Sequence, residues 1–426
     1  MRTTQTLVDE FAAAIAGPVR PAGDAIPSFQ TGLVHRPAVV VEPLDSSDVA
    51  ALLPVAHRRN LPLTVHATGH GLRAPADGGV LVATRRMAAV RIDPAQRLAR
   101  IGAGARWAEV LAAAARHGLR PAAGSAPSVG VAGYLFGGGL GLTARTDGWT
   151  ADHVRSIELV DAAGAVRTVD AGDPERFARL RGTGPADGEI VTEVTLGLLP
   201  AGPLTGGGLV RVLGPADEPA TDPGALHAWL DWTRDLPTDV TSGLSLVPYP
   251  DLPFLPADLR GRRVLRVAVV VCGDGARADA VLAPLRAAVA ADEDTIGPLQ
   301  PSGIGRVHAE PESPHAYLGD DLLLSDVEGA GLDRVAARTG PMVVTGIRHL
   351  GGAAGRAAVV PDSVPGRDAS YLVGALAPFG SGSGPEVVGA GPARSEVDGV
   401  LAGFARHATG RHPSFRFGPT APGARW

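Results

Sequence analysis

The chain has 426 residues, of which 45% are hydrophobic and only 4% are aromatic. That length allows two domains, or one domain interrupted by a second, each large enough for its own core. A formal net charge of −5, without a basic cluster, argues against nucleic acid as a partner. No long apolar span and no signal peptide is visible, so the sequence predicts a cytoplasmic protein without a membrane partner.

Two residue types exclude further classes of protein. The single cysteine, Cys272, rules out an internal disulfide and a cysteine-built metal site, and its apolar surroundings indicate a buried strand residue. The chain contains 39 arginines and no lysine. The chain therefore has no lysine for a Schiff base with pyridoxal phosphate or for a phosphate-binding P-loop. We predict no metal site.

Short strands and helices are mixed in the first half of the chain without a regular βαβ repeat, which favours an α+β fold. Asp45 or Ser46 is placed to cap the second helix, and Gly118 ends a later one. In chain order, after an N-terminal helix, the predicted elements are strand 37–43, helix 45–60, strands 62–68 and 78–84, the strand pair 88–104, helix 105–119, a glycine-rich loop 124–141, hairpin 155–170 and strand 189–200.

From about residue 206 the pattern changes to long strands around amphipathic helices, which suits an antiparallel sheet covered by helices. A tract at 378–386 has the composition of a linker. We predict three parts, residues 1–205 with a core at 35–200, residues 206–380, and a C-terminal segment 381–426. Within the last two parts the predicted strands are 240–250, 262–273, 341–352 and 368–378, and the predicted helices are 274–290 and 393–410.

The first loop with a chemical signal follows the strand in LTVHATGHGL, residues 63–72. The strand ends at Gly69-His70-Gly71, where the backbone can bend sharply and hold the imidazole at the tip of the turn. This pattern is also compatible with a turn histidine that only bonds to the backbone.

The second loop is GSAPSVGVAGYLFGGGLGLTA, with seven glycines between Gly124 and Gly141. So many residues without Cβ indicate a backbone that approaches a ligand closely and offers N–H groups to an anion such as a pyrophosphate. A flexible loop or a tight helix–sheet contact is the alternative. A G-x-G-x-x-A match at 139–144 lacks the preceding strand of a nicotinamide-binding site and is a weaker interpretation.

Several motifs in series resemble one flavoprotein family. HATGHG, APSVGVAGYLFGGGLG, DGWTADHV and GEIVTEVTL follow in this order across residues 35–200. They resemble the motifs R-x-G-G-H-S, P-T-V-G-x-x-G-x-x-x-G-G-G-x-G, Y-G-x-x-x-D and F-G-V-V-T of the berberine bridge enzyme-like oxidases, in the para-cresol methylhydroxylase/vanillyl alcohol oxidase superfamily. IRHLGGA and RDASYLVG resemble strands of the substrate domain of that family, less specifically.

The resemblance implies a two-part FAD-binding domain, with two facing loops on the ADP moiety and the isoalloxazine at the interface with the substrate domain. His70 falls on the flavin-linking histidine, and Ala126 stands where some members have a second linking cysteine, so the attachment would be single. Val129 matches a valine that leaves space for oxygen, and Asp152 an aspartate that orders the flavin-binding segment. The residues implied to contact FAD are Thr68, Gly69, His70, Gly71, Ser128, Val129, Gly130, Gly133, Gly137, Gly138, Gly139, Asp152, Ile190 and Val191.

The chain departs from the family pattern in three places. His66 replaces the usual arginine, and we expect it to pack or to form a hydrogen bond. Pro185, Asp187 and Glu189 stand where apolar and glycine residues are usual, on the adenine side. The sequence FRFGPTAPGARW also differs from the family's C-terminal helix and Asn-containing tail. That tail is either lost or replaced by a shorter cover for the ring.

The oxidation of an alcohol carbon requires a group that removes the hydroxyl proton. Tyr371 matches a position that often faces the pocket in this family, and a core tyrosine is the alternative. Arg348 and His349 are neighbours on one strand and point to opposite faces, so at most one is expected to reach the ring.

We therefore predict an FAD-dependent oxidase. It would take hydride from a hydroxyl-bearing carbon of a secondary metabolite or sugar-like substrate and reduce O2 to H2O2. The alternatives are a dehydrogenase with another acceptor, a flavin-binding protein that catalyses a non-redox cyclisation or elimination, and a cofactor-free binding protein. The sequence leaves the oligomeric state open.

Overall fold

The computed structural model describes residues 2–23, 26–253, 255–380 and 389–419. Its described residues combine helices with two larger sheets and a two-stranded sheet in the first half, and with one large antiparallel sheet in the second. Among the described residues, none of the helices combines the length and apolar character that crossing a membrane requires.

The first sheet carries the strand that leads into the first glycine loop. Asp45 caps the second helix by accepting bonds from the amides of Ser47 and Asp48. Strands two to four pair in parallel, and their valine-rich runs are buried against the helices. The strands lie side by side in the order β1-β2-β4-β3. The elements in chain order are α1 Arg2–Ala14, β1 Val19–Pro21, β2 Val39–Val41, α2 Ser46–Arg58, β3 Leu63–His66 and β4 Val80–Ala83.

The second sheet is antiparallel in the described residues, with the order β5-β6-β10-β8-β9. The predicted hairpin at 155–170 is present and turns at Gly164, which has a φ of 84°. The elements are β5 Val90–Asp93, β6 Leu98–Gly102, α3 Trp107–Ala115, β7 Leu119–Arg120, α4 Val131–Phe136, α5 Ala144–Asp147, β8 Val154–Val160, β9 Val166–Asp170, α6 Pro174–Leu180, β10 Ile190–Gly197 and β11 Leu199–Pro200.

The third sheet has nine strands within the described ranges. Its main order is β15-β12-β14-β13-β18-β19-β17-β20, and β16 pairs with β12. The elements are β12 Thr205–Pro215, α7 Gly224–Arg234, β13 Val240–Pro248, β14 Arg262–Val271, α8 Gly275–Val289, β15 Glu293–Asp294, β16 Gly297–Pro298, α9 Gly305–His308, β17 Tyr317–Leu324, α10 Gly329–Ala336, β18 Val344–His349, β19 Tyr371–Pro378, α11 Ala390–Ala402 and β20 Ala408–Gly410.

The two faces of the third sheet have different neighbours. One face packs against α7, α8, α10 and α11 in a core that contains Trp229, Leu282 and Val397. The other face turns toward the first half of the chain, where Ala268 and Val270 join the core of the second sheet. This shared core brings the long antiparallel sheet close to the two glycine-containing loops.

Several elements differ from the sequence prediction. The glycine-rich loop contains the short helix α4, and the predicted helix 393–410 ends at Ala402. The sequence pattern also predicts no element at strands β12 and β17 or at helices α6, α7 and α10. β17 reads YLGDDLLL, and its two adjacent aspartates interrupt the apolar run that a buried strand usually shows. Both carboxylates are buried in the sheet, so tertiary packing outweighs the local pattern.

Candidate flavin site

The two loops with chemical signals meet in the structure. The hydroxyl of Thr68, in the first loop, accepts a hydrogen bond from the amide of Gly130, in the second, at 3.3 Å. Nε2 of His70 and Oγ of Ser128 lie 3.0 Å apart and share another. The loops therefore form one joined surface, although about sixty residues separate them in the chain.

The first loop has free donors. The carbonyls of Thr68 and Gly69 accept bonds from the N-terminal segment, but in the described part of the chain the amides of Thr68, Gly69 and His70 donate to no protein acceptor. A Cβ placed on Gly71 would meet no atom within 4 Å, so the space beside the turn is open. Unpaired amides next to open space fit an anion.

The second loop offers the same chemistry at the start of α4. The amides of Ala132 and Gly133 have no protein acceptor among the residues described, and a Cβ on Gly133 would meet nothing within 4 Å. Two sets of unpaired amides on joined loops match the donors that a diphosphate needs. The residues present therefore fit the diphosphate of FAD.

The three consecutive glycines pack closely against protein atoms. A Cβ at Gly137, Gly138 or Gly139 would lie 1.9 Å from Ser414 Oγ, 2.6 Å from Val364 and 2.4 Å from Tyr134, respectively. The amide of Gly138 and the carbonyls of Gly138 and Gly139 bond within the protein. Their contact with the cofactor stays a prediction, because a glycine that makes room for protein atoms can also offer its backbone to a ligand.

His70 is held on several sides. Its ring stacks on Phe29 with centroids 3.7 Å apart, and its carbonyl accepts a 2.6 Å bond from the hydroxyl of Tyr317 on β17. Burial, with a smaller contribution from His315, lowers the pKa of His70 to about 4. The imidazole is therefore neutral at pH 7. The ring contacts Ser128 through Nε2, which lies 3.0 Å from Oγ, and a hydrogen bond with the backbone of Ser128 opposes the lowering of the pKa of His70.

Four other predicted residues lie beside this surface. Val129 is partly buried against the core of the second sheet. Asp152 accepts a 2.8 Å bond from the amide of Trp149 and pairs with Arg367 at 2.5 Å, so it orders the segment between the two halves of the chain. Ile190 and Val191 begin β10 with buried side chains, and their contact with adenine stays a prediction. His66 is buried, as expected, and its Nε2 lies 2.9 Å from Ser28 Oγ.

Two of the three catalytic candidates face away from the flavin loops. The side chain of Tyr371 is 4% exposed in the helix-covered core, and its hydroxyl lies 2.9 Å from Thr233 Oγ1. His349 stacks on Tyr371, and burial together with Arg145 lowers the pKa of His349 to about 3. The prediction that either residue reaches the ring is therefore wrong, because the strand directs both side chains to the opposite face of the sheet.

Arg348 is the candidate that faces the first half of the chain. It stands opposite Leu372, which packs with Leu140 from the second loop. Its guanidinium lies 3.1 Å from His308 Nε2 and donates to Glu310 at 3.2 Å. It also lies 5.2 Å from the centroid of Phe415.

Glu310 is a site residue that the sequence did not indicate. Its carboxylate accepts a 2.8 Å bond from Ser125, the neighbour of Ala126, and it also contacts Arg348. Its side chain is 39% exposed. Glu310 lies in the irregular segment HAEPESPH, where no periodic pattern distinguishes it from an ordinary solvated carboxylate. Only the fold brings it to the second loop.

The C-terminal segment returns to the first half of the chain. The guanidinium of Arg73 donates to the carbonyls of Pro413 and Arg416, and the amide of Gly418 donates to the carbonyl of Leu72. His412 stacks on Trp149 with centroids 5.1 Å apart. Described residues 411–418 thus cover the flavin loops from the side of β17.

Comparison with known proteins agrees with this geometry. The family described as "FAD binding domain" matches residues 37–170. Among curated relatives, an FAD-dependent monooxygenase (tpcD) of Cochliobolus heterostrophus is 31% identical over 208 residues, which cover 48% of this chain and 39% of that protein. The (R)-6-hydroxynicotine oxidase of Paenarthrobacter nicotinovorans is 34% identical over 179 residues, which cover 41% and 39%. The chain therefore spans about two fifths of the length of these relatives.

Solved structures extend the similarity of fold to nearly the whole chain. BBE-like 1 from Physcomitrella patens matches with a TM-score of 0.79 and 18% identity over 96% of this chain and 90% of that one. The 6-hydroxy-D-nicotine oxidase from Arthrobacter nicotinovorans gives 0.78 and 22% over 94% and 89%. A xylooligosaccharide oxidase from Myceliophthora thermophila, in complex with xylobiose, gives 0.78 and 19% over 98% and 91%.

These findings show an FAD-binding domain at residues 37–170. The described chain shares its fold with BBE-like 1 and with the 6-hydroxy-D-nicotine oxidase. The resemblance stated from the sequence motifs, the α+β fold class and FAD as the cofactor are thus confirmed.

Proposed function

We propose that this protein is an FAD-linked oxidase. It takes hydride from a substrate carbon that bears a hydroxyl or amine group and passes the electrons to O2, with release of H2O2. The observation that carries the proposal is the joined pair of loops, with unpaired amides beside open space and His70 between them. FAD supplies the hydride acceptor at this surface. A small-molecule substrate and a cytoplasmic location belong to the same proposal.

The proposal includes a single covalent bond from His70 to the 8α-methyl carbon of the flavin. His70 is neutral at pH 7 because burial lowers its pKa to about 4. We assign its ring proton to Nε2, which donates to Ser128 Oγ and leaves the lone pair on Nδ1. We propose Nδ1 as the nucleophile. Formation of the N–C bond would release one proton from the 8α-methyl group and one from the imidazole, and the two electrons left on the flavin would pass to O2, which is reduced to H2O2.

We further propose Glu310 as the acceptor of the substrate proton. Its partner Ser125 adjoins Ala126, the position at which the family resemblance implies a second flavin contact, so Glu310 lies near the edge of the ring. Arg348 and Ser125 both donate to Oε1 of Glu310, so we assign the substrate proton to Oε2. A positioned carboxylate at hydrogen-bond range from the substrate supplies general-base catalysis.

The test uses the protein as isolated. We expect a flavin absorption band that stays with the protein after acid precipitation. His70→Ala should release the flavin on precipitation while the far-ultraviolet circular dichroism is kept. A protein whose colour is lost completely to the supernatant would refute the covalent bond, and a protein without a flavin band would refute the function.

A second experiment separates the oxidase from its alternatives. Anaerobic mixing with a turned-over substrate should bleach the flavin, and readmitted oxygen should restore the band with about one H2O2 per substrate. Bleaching that oxygen does not reverse would favour a dehydrogenase, and turnover without bleaching would favour non-redox chemistry.

A further inference from the structure

A recess between side chains lies on the third sheet, on the face that turns toward the flavin loops. Ser245, Gly346, Gly374 and Asp321 stand opposite one another across β13, β18, β19 and β17. β18 and β19 are interior strands, yet both glycines are partly exposed. A Cβ at Gly374 would meet nothing within 4 Å, and one at Gly346 would meet only the carbonyl of Leu244 at 4.0 Å. The middle of the sheet is therefore open at this point.

The recess continues into apolar side chains. Two residues farther along β18 and β19, Val344 stands opposite Leu376, and alternation puts Val247 of β13 on the same face. All three side chains are partly exposed. The row on the other side of the glycines contains Arg348, which contacts Glu310. The recess thus has an apolar end, near which Tyr317 of β17 contacts His70 of the first loop, and a charged end beside the second loop.

The recess offers few polar groups to a ligand. Asp321 is fully buried; its Oδ2 accepts a 2.7 Å bond from the amide of His412, and its Oδ1 is enclosed and has no partner among the described residues. The guanidinium of Arg266 donates to the carbonyls of Arg306 and Val307. Ser245 is the remaining hydroxyl of the central row. A site for a sugar requires polar partners for many hydroxyls, since a buried hydroxyl without a partner loses a hydrogen bond to water.

We infer that the recess binds the body of a flat, apolar ring system, such as an aromatic alcohol or amine, rather than an oligosaccharide. Neighbouring glycines on paired strands let a planar ring lie directly against the backbone. Val344, Leu376 and Val247 bury one edge of that ring. The reacting carbon then lies at the other end, where Arg348 and Glu310 meet the second loop. The inference deepens the proposed function and rests on it.

The test measures binding to the purified holoprotein by calorimetry, with 2-naphthylmethanol as a flat apolar probe and cellobiose as a sugar probe. We expect the naphthyl probe to bind and cellobiose to bind at least tenfold more weakly. Gly374→Val fills the recess, and overpacking of roughly 1–3 kcal/mol should weaken the naphthyl probe about tenfold or more. Gly297→Val is the matched control, because a Cβ at this glycine on edge strand β16 also meets nothing within 4 Å.

The outcomes are distinct from those of the proposed function. Flavin absorbance and peroxide release test the oxidase, whereas probe affinity tests the recess. Tighter binding of cellobiose, or an unchanged naphthyl affinity in a folded Gly374→Val protein with full flavin content, would overturn the inference. If Gly374→Val does not fold, Val344→Ser takes its place. It should weaken the naphthyl probe severalfold, and an unchanged affinity in that variant would overturn the inference as well.

Discussion

Ser128 Oγ lies 3.0 Å from Nε2 of His70, and this contact joins the two loops of the flavin site. It engages Nε2, one of the two ring nitrogens. Because burial lowers the pKa of His70 to about 4, the ring is neutral over the physiological range. A neutral imidazole with one assigned proton has its lone pair on the nitrogen that we propose as the nucleophile.

Ser128→Ala should slow the attachment of the flavin. Without the hydroxyl, the proton is free to occupy either ring nitrogen, and loss of a hydrogen bond of about 1 kcal/mol corresponds to a severalfold effect. The measurement is the fraction of flavin that stays with the protein after acid precipitation, followed in time after FAD is added to apoprotein. Ser125→Ala is the control in the same loop, since Ser125 contacts Glu310 and not His70. Equal attachment rates in both variants would contradict the assigned role of Ser128.

Glu310→Gln should lower kcat/KM for an oxidised substrate by about 10²–10⁴, the usual contribution of a general base. The flavin spectrum should stay unchanged. Glu312→Gln is a matched control, because Glu312 is an exposed carboxylate two residues away. If Glu310→Gln keeps the wild-type kcat/KM, the proton acceptor is another group.

The flavin loops could be predicted from the sequence because their signal is local. A strand that stops at Gly69-His70-Gly71 and a loop with repeated glycines have few structural explanations, and motifs in series narrowed them to one family. The same signal is less specific at Gly137, Gly138 and Gly139. A glycine without a Cβ can make room for a ligand or for a protein side chain such as Ser414 or Val364, and the sequence does not distinguish these two reasons.

The substrate side could not be predicted, because it depends on contacts between distant segments. Alternation along β18 separated Arg348 from His349 correctly, but it gave no information on which face turns to the flavin loops. Glu310 joins the site through Ser125, 185 positions away in the chain. Such a pair leaves no trace in composition or periodicity.

Asp321 should make the stability of the protein depend on pH. Burial, the largest influence, raises the pKa of Asp321 to about 7 from an ordinary value of 3.8. Between these values the folded state holds a proton that the unfolded state releases, so the free energy of unfolding falls as pH rises from about 4 to about 7. This decrease in the free energy of unfolding is on the order of a few kcal/mol.

The measurement compares urea unfolding of the wild type and Asp321→Asn between pH 4 and pH 8. The difference isolates this carboxyl, because buried histidines such as His412, with a pKa lowered to about 3 by burial, contribute the opposite slope. Compared with Asp321→Asn, the wild type should show a free energy of unfolding that falls as the pH rises from about 4 to about 7. Asp398→Asn, an exposed substitution on α11, should leave the slope unchanged. If the free energy of unfolding changes with pH in the same way in the wild type and in Asp321→Asn, the raised pKa of Asp321 is contradicted.

Gly137→Ala should destabilise the fold without removing a cofactor contact. Its Cβ would lie 1.9 Å from Ser414 Oγ, and overpacking of this kind costs about 1–3 kcal/mol. Ser414→Ala removes that oxygen and leaves the nearest side-chain atom at 3.1 Å, so the double variant should recover most of the loss. The measurement is a double-mutant cycle of thermal unfolding, with flavin content recorded for each protein. If the effects of the two substitutions on stability are additive, the contact between Gly137 and Ser414 does not explain the loss. If Gly137→Ala lowers the flavin content and Ser414→Ala does not restore it, Gly137 contacts the cofactor.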